Sequence, residues 1–209
     1  MIFKKSMTLE NQILQYMNEK YTDDTFVYEG PTGGGAGADM KSIIVSSRKY
    51  PGKKIYAHYM ADRTPAYTDN YLSVAYEQET KARIAEVLDR ALACEYLLIY
   101  DISRFACPNP DGMMDFEAYI GSSESCIGFT VVAKEKVTDQ AAFETALKQA
   151  IIAAGICCDA TIYFDAGTGA FDTLTAEGLS GYTFKHLYSC VFSFQMSSKD
   201  TFSSQNWGE

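Results

Sequence analysis

The chain holds two histidines, His58 and His186, and both fall in segments whose residues alternate as in β-strands. A neutral imidazole is the side chain best suited to move protons near neutral pH, so each is a candidate base or binding group. His186 and Cys190 share one face of their segment but stand four residues apart. That is about 13 Å at strand rise, too far for a thiolate–imidazole pair, and His186 reads first as a core-edge residue. His58 reaches a cysteine or carboxylate only from another strand. Asp101, Asp111, Asp115 and Glu117 bring carboxylates around one loop, a composition that serves acid–base chemistry or calcium. They lack the spacing of a calcium loop and read as solvated charge.

Two glycine-rich stretches invite a phosphate reading. In Gly33-Gly34-Gly35-Ala36-Gly37-Ala38-Asp39-Met40-Lys41-Ser42, the residues Gly33, Gly35 and Ala38 fit G-x-G-x-x-A, and Lys41-Ser42 fits the end of a P-loop. Both motifs need a helix immediately afterwards to hold the phosphate at its N-terminus. Ile43-Ile44-Val45-Ser46 reads as a strand, and Met40 stands where the P-loop needs glycine. A hairpin loop is expected, with Gly33, Gly35 and Gly37 as candidate contacts for a partner. Asp165-Ala166-Gly167-Thr168-Gly169, after the apolar run Ile162-Tyr163-Phe164, resembles the first phosphate motif of actin-like sugar kinases and Hsp70 ATPases. That fold carries the motif on its first strand, whereas here it stands late in the chain, and a connecting turn is expected.

Tyrosine is abundant, with fifteen in 209 residues. Tyr56, Tyr59, Tyr67, Tyr71 and Tyr76 crowd the middle of the chain. Such a cluster suits a protein or glycan surface, or a wide aromatic core, and the sequence leaves both open. Tyr56 and His58 join the candidate binding residues. The cysteines at 94, 107, 126, 157, 158 and 190 show no CxxC and no zinc-finger spacing. They read as small buried hydrophobes of a reducing compartment, with Cys157 and Cys158 on opposite strand faces. No metal or other cofactor is expected.

The elements that must position these residues follow from periodicity. Leu9, Ile13, Met17 and Tyr21 make a helical stripe, and Thr25 to Tyr28, Ile43 to Val45 and Lys54 to Met60 read as strands. Tyr50-Pro51-Gly52 turns the last two into a hairpin. A long helix is expected from about Tyr71 to Ala93, capped by Thr68 or Asp69, and a strand from Tyr96 to Ile102. A short helix near Met114 to Tyr119, a strand Ile127 to Ala133, a helix capped by Thr138 or Asp139 and ended by Gly155, and a strand Ala160 to Phe164 follow. From Tyr182 to Met196 the alternation is longest. One-sided strands of this kind predict an α+β fold: a single domain over residues 1–196, its sheet mostly antiparallel and its helices mainly on one face. Residues 197–209 are expected to form a flexible tail in which Trp207 alone could dock.

Composition sets the remaining bounds. Apolar residues make up 47% of the chain and charged residues 22%, as in ordinary globular proteins. A net charge of −9 argues against nucleic acid and anionic membranes as ligands. The densest basic run, Arg48, Lys49, Lys53 and Lys54, reads as a solvated turn. No apolar run is long enough to span a membrane, and nothing near Met1 reads as an export signal or a lipid-attachment cysteine, so the chain by itself reads as cytoplasmic.

Tyr16-Met17-Asn18-Glu19-Lys20-Tyr21, Phe26-Val27-Tyr28, the segment Ser46 to Pro51, and Asp69-Asn70-Tyr71-Leu72 before a charged helix resemble a group of uncharacterised small bacterial proteins. The resemblance covers roughly residues 1–90. Many members of that group look like lipoproteins, which implies a cell-surface location, and the group brings no activity or site residues. The reading that results is a non-enzymatic binding or accessory protein that contacts a protein partner. A small hydrolase or phosphate-handling enzyme, built on His58 or His186 and the loop carboxylates, is the alternative.

Overall fold

The computed structural model describes residues 7–32, 40–102, 112–165, 167, 171–174, 188–198 and 201–208. Its fold class is α+β. The chain divides into two compact units, Met1–Tyr76 with Ser103–Asp115, and Glu77–Ile102 with Phe116–Glu209.

The first unit opens with α1 (Leu9–Lys20), whose start is capped by the Thr8 hydroxyl accepting from the Asn11 amide at 3.4 Å. Ile13 and Met17, one turn apart, are fully buried, and the stripe continues to Tyr21 just past the last turn. Four strands follow, β1 (Phe26–Pro31), β2 (Met40–Ser47), β3 (Ile55–Met60) and β4 (Tyr67–Asp69), paired antiparallel in that order. The β2–β3 hairpin turns at Pro51-Gly52, where Gly52 has φ +79° and Lys53 N–H donates to the Tyr50 carbonyl at 3.2 Å. Arg48, Lys49, Lys53 and Lys54 are exposed there, as a solvated turn requires.

Register sorts the sheet into two faces. Ile43 pairs with Ala57 and Val45 with Ile55, all fully buried. Ala57 in turn pairs with Asp69, and Tyr59 with Tyr67. This is the face on which α1 packs, and each large aliphatic side chain buried there contributes roughly 1.5–3 kcal/mol. Ser42, His58 and Thr68 align across β2, β3 and β4 on the opposite face.

The long helix expected from Tyr71 is two helices. The first, α2 (Tyr71–Ala75), stops at Tyr76, whose amide bonds back to Leu72, and α3 (Glu77–Ala91) begins the second unit. Asn70 fixes where the first piece begins. Its side-chain oxygen accepts the Tyr56 amide at 2.8 Å and its own amide donates to the Tyr56 carbonyl at 3.1 Å, so the helix start is fastened to β3 rather than capped by its own side chain.

In the second unit, α3 is followed by β5 (Tyr96–Asp101), α4 (Phe116–Ile120), β6 (Ile127–Ala133), α5 (Gln140–Ala154), β7 (Cys158–Asp165), β8 (Tyr188–Ser198) and β9 (Thr201–Gly208). The sheet order is β5-β6-β7-β8-β9, antiparallel except for β6 with β7, which α5 connects as a parallel crossover. Asp139 caps α5 by accepting the Ala142 amide at 3.0 Å, and Gly155 ends it with φ +66°. Along β7, Cys158, Ala160, Ile162 and Phe164 are buried while Asp159, Thr161 and Tyr163 are wetter, the period of two read in the sequence. Residues 182–187 of the longest alternating segment lie outside the described residues.

The segment expected as a flexible tail carries a strand. Residues 201–208 form β9, whose backbone pairs with β8 from Val191↔Gly208 to Ser198↔Thr201. A Ser-rich strand is held because an aromatic anchor fixes its end. Trp207 lies 4.8 Å from Phe192, 5.9 Å from Phe164 and 6.0 Å from Phe143 between ring centroids. Its indole N–H donates to Glu144 of α5. Trp207 is the chain's single tryptophan, so its fluorescence reports this cluster alone. Native emission is expected to be blue-shifted from that of the urea-unfolded chain, and Phe192→Ala is expected to lower stability by roughly 3–5 kcal/mol in urea melts. Solvent-like native emission would return residues 201–208 to a fraying tail.

Candidate functional site

The first unit is organised around one buried carboxylate. Asp69 stands at the end of β4, on the face turned to α1, and its side chain is 1% exposed. Tyr16 and Lys20, one turn apart on α1, reach it together. Tyr16 Oη and Lys20 Nζ each donate to Oδ2 at 2.8 Å, and Tyr21 Oη donates to Oδ1 at 2.8 Å. The Tyr71 amide donates to Oδ1 at 3.0 Å, so both oxygens are fully used. Lys20, with only 5% of its side chain exposed, also donates to Tyr16 Oη at 2.7 Å and lies 5.1 Å from the ring centres of Tyr16 and Tyr21.

A lysine beside a phenol would by itself favour the phenolate. Here burial, and after it the charge of Asp69, push the Tyr16 and Tyr21 hydroxyls well above their ordinary range, so both stay protonated as donors. The arrangement therefore holds elements together rather than abstracting protons. A second carboxylate extends it. Asp24 accepts from Tyr71 Oη at 3.0 Å, the Thr25 amide at 2.7 Å, the Lys49 amide at 3.1 Å and the Ser47 hydroxyl. Partial burial raises its carboxyl, but these hydrogen bonds outweigh it and leave the group below its ordinary value. Tyr71 bridges the two carboxylates, its ring 4.2 Å from that of Tyr21.

Above this network lies an open groove of about 630 Å³, lined by Gln12, Gln15, Tyr16, Glu19, Lys20, Tyr67 and Gly112. Tyr67 stacks on Tyr16 at 5.0 Å and meets Tyr59 at 5.1 Å, forming an aromatic wall. Amides and a carboxylate form the rest. Gln12 donates to the Met7 carbonyl at 3.0 Å, and Gln15 to Glu19 at 2.5 Å. Gly112, at φ +85°, closes one end. A Cβ there would come within 3.0 Å of the Lys20 carbonyl, so only glycine lets this backbone lie against the end of α1.

The expected site residues are distributed differently. Gly33, Gly35, Gly37 and His186 lie outside the described residues. Tyr56 is half-buried and its backbone is bound to Asn70. His58 is buried on the far face of the sheet, where its Nδ1 lies 2.7 Å from Ser42 Oγ. Thr68, the next residue in that row, has its hydroxyl buried without a hydrogen-bond partner among the described residues. Asp165 accepts the Gly167 amide at 3.1 Å and the Phe171 amide at 3.2 Å, which is how an aspartate builds a turn. Of the loop carboxylates, Glu117 pairs with Arg83 at 2.6 Å and Asp111 lies outside the described residues. Among the described residues no cluster of His, Cys, Asp or Glu has the arrangement of a metal site, and no helix is long and apolar enough to cross a membrane.

One sequence signal points to this cluster. Tyr16 and Lys20 share a helix face beside the apolar stripe, although Asp69, like Thr68, reads in the sequence as a helix cap. Tyr21→Phe removes a neutral donor from a buried carboxylate and is expected to lower stability by about 1.5–3 kcal/mol in chemical denaturation. Tyr67→Phe is expected to change it by less than about 0.5 kcal/mol, since the Tyr67 hydroxyl only grazes Gln12 at 3.5 Å.

No family model matches the chain, and no curated protein matches it. Among solved structures, it is similar to a DUF5037 family protein from Ruminococcus gnavus, with 14% identity, 94% of this chain and 95% of that one covered, and a TM-score of 0.45.

Proposed function

We propose that this protein is a binding or accessory protein that contacts a protein partner through the groove between α1 and β4. The observation that carries the reading is the lining of that groove. It combines a stacked tyrosine wall with the amides of Gln12 and Gln15 and the exposed carboxylate of Glu19, over a base whose charges are already paired. Aromatic area supplies contact at low entropic cost, and amide side chains both donate to and accept from a polypeptide backbone. With Lys20 neutralised by Asp69, Glu19 is the exposed charge of the lining, which favours a partner segment that is polar or basic. The acidic chain as a whole adds a field of the same sign.

A photo-crosslinking residue at Gln15, on the exposed rim, is expected to give a discrete adduct with one partner in cells of the source organism. The same residue at Lys53, in the exposed β2–β3 turn, is expected to give none. Tyr67→Ala, which removes half of the aromatic wall, is expected to weaken the Gln15 adduct at least about tenfold, the effect of losing a contact near 1.4 kcal/mol. Equal labelling from both positions would refute the groove as the contact surface.

One observation favours a second reading, hydrolysis. With Nδ1 of His58 unprotonated, Ser42 donates its hydroxyl proton at 2.7 Å, the contact by which an imidazole activates a serine. Stoichiometric labelling of Ser42 by a fluorophosphonate, lost in His58→Ala, would support that reading. An unlabelled Ser42 in folded protein leaves the pair as a buried link between β2 and β3.

A further inference from the structure

We propose that Cys126 and Cys157 form a closable thiol pair, a modification site at the start of the parallel strands β6 and β7. Both are thiols in the structure. The β6–β7 register begins at Ile127↔Cys158, so Cys126 and Cys157 each stand one residue before a paired position. Paired residues on adjacent strands lie about 4.8 Å apart, within the roughly 4.4–6.8 Å between Cα atoms that a disulfide spans, and the two cysteines adjoin the first such pair. Burial, and after it the charges of Asp159 and Cys126, push the Cys157 thiol up.

The two thiols differ in access, and that difference sets their roles. Cys126 is exposed, with a left-handed backbone at φ +44° just after the turn Ser123–Ser125. Cys157 is 3% exposed, and its amide donates to the Ile120 carbonyl at 2.9 Å. A low-molecular-weight disulfide such as oxidised glutathione meets Cys126 first. The Cys126 thiolate attacks one sulfur of the oxidant, forming a mixed disulfide and releasing one glutathione thiolate. Cys157 then loses its proton and attacks the Cys126 sulfur, releasing the second glutathione. Two protein thiols are oxidised and one glutathione disulfide is reduced to two thiols. Cys158, the neighbour of Cys157, does not compete: it is the register partner of Ile127 rather than of the step before it, and burial pushes its thiol well above the ordinary range.

The closed bond would tie the turn before β6 to the start of β7 and enclose α5 within its loop, so oxidation would lock the parallel crossover. The test uses the full chain incubated with a glutathione redox series. Closure is expected to remove two titratable thiols per chain without retained glutathione, to be reversed by dithiothreitol, and to raise Tm by about 5–10 °C. Cys126→Ser and Cys157→Ser are each expected to abolish closure, and Cys94→Ser, Cys107→Ser and Cys158→Ser to leave it intact. Cys126 is exposed, so its serine variant keeps the comparison valid even if Cys157→Ser fails to fold. Stable glutathione on Cys126 with no loss of a second thiol would overturn the pair, as would closure that persists in Cys126→Ser.

Discussion

The first unit depends on the removal of one negative charge from water. A carboxylate as buried as that of Asp69 is tolerated only when its oxygens are filled and its charge is answered. Both conditions are met from a single helix and the backbone beside it: Lys20 answers the charge, while Tyr16, Tyr21 and the Tyr71 amide fill the remaining positions. The apolar attraction of Ile13 and Met17 to the sheet is non-directional. The hydrogen bonds around Asp69 are directional, and they fix the rotation and height of α1 over β4.

That constraint has consequences at the surface. The same Tyr16 ring that donates to Asp69 from its hydroxyl stacks on Tyr67 from its face, so the groove wall is held from below. The side chains that line the groove sit on a helix and a strand, and a surface prepared in this way would lose little entropy on binding. Of the tyrosines that crowd the middle of the chain, Tyr71 belongs to the core beside Tyr21, whereas Tyr67 lines the groove beside Tyr16.

Periodicity made much of the fold legible. The strand Ile127–Ala133 and the helix between Asp139 and Gly155 lie where the apolar pattern and the cap residues put them, because those signals are local. What was not legible depends on contacts distant in sequence. The start of α2 is fastened by Asn70 binding β3, and β9 is held by Trp207 meeting Phe192 and Phe164. The site was hidden for the same reason: Asp69 is 49 residues from Lys20 and 53 from Tyr16. An aspartate before a helix has the sequence signature of a cap, and only the tertiary fold turns its side chain toward α1.

The role of the buried charge is open to direct measurement by a double-mutant cycle in urea with Lys20→Met, Asp69→Asn and the double variant, which keep side-chain size nearly constant. Each single variant strands one charge in the interior and is predicted to lose roughly 3–5 kcal/mol, whereas the double variant, with no charge left, should lose about 2 kcal/mol or more less than the sum. Additive losses would contradict the account, because Lys20 and Asp69 would then be neighbours without being partners.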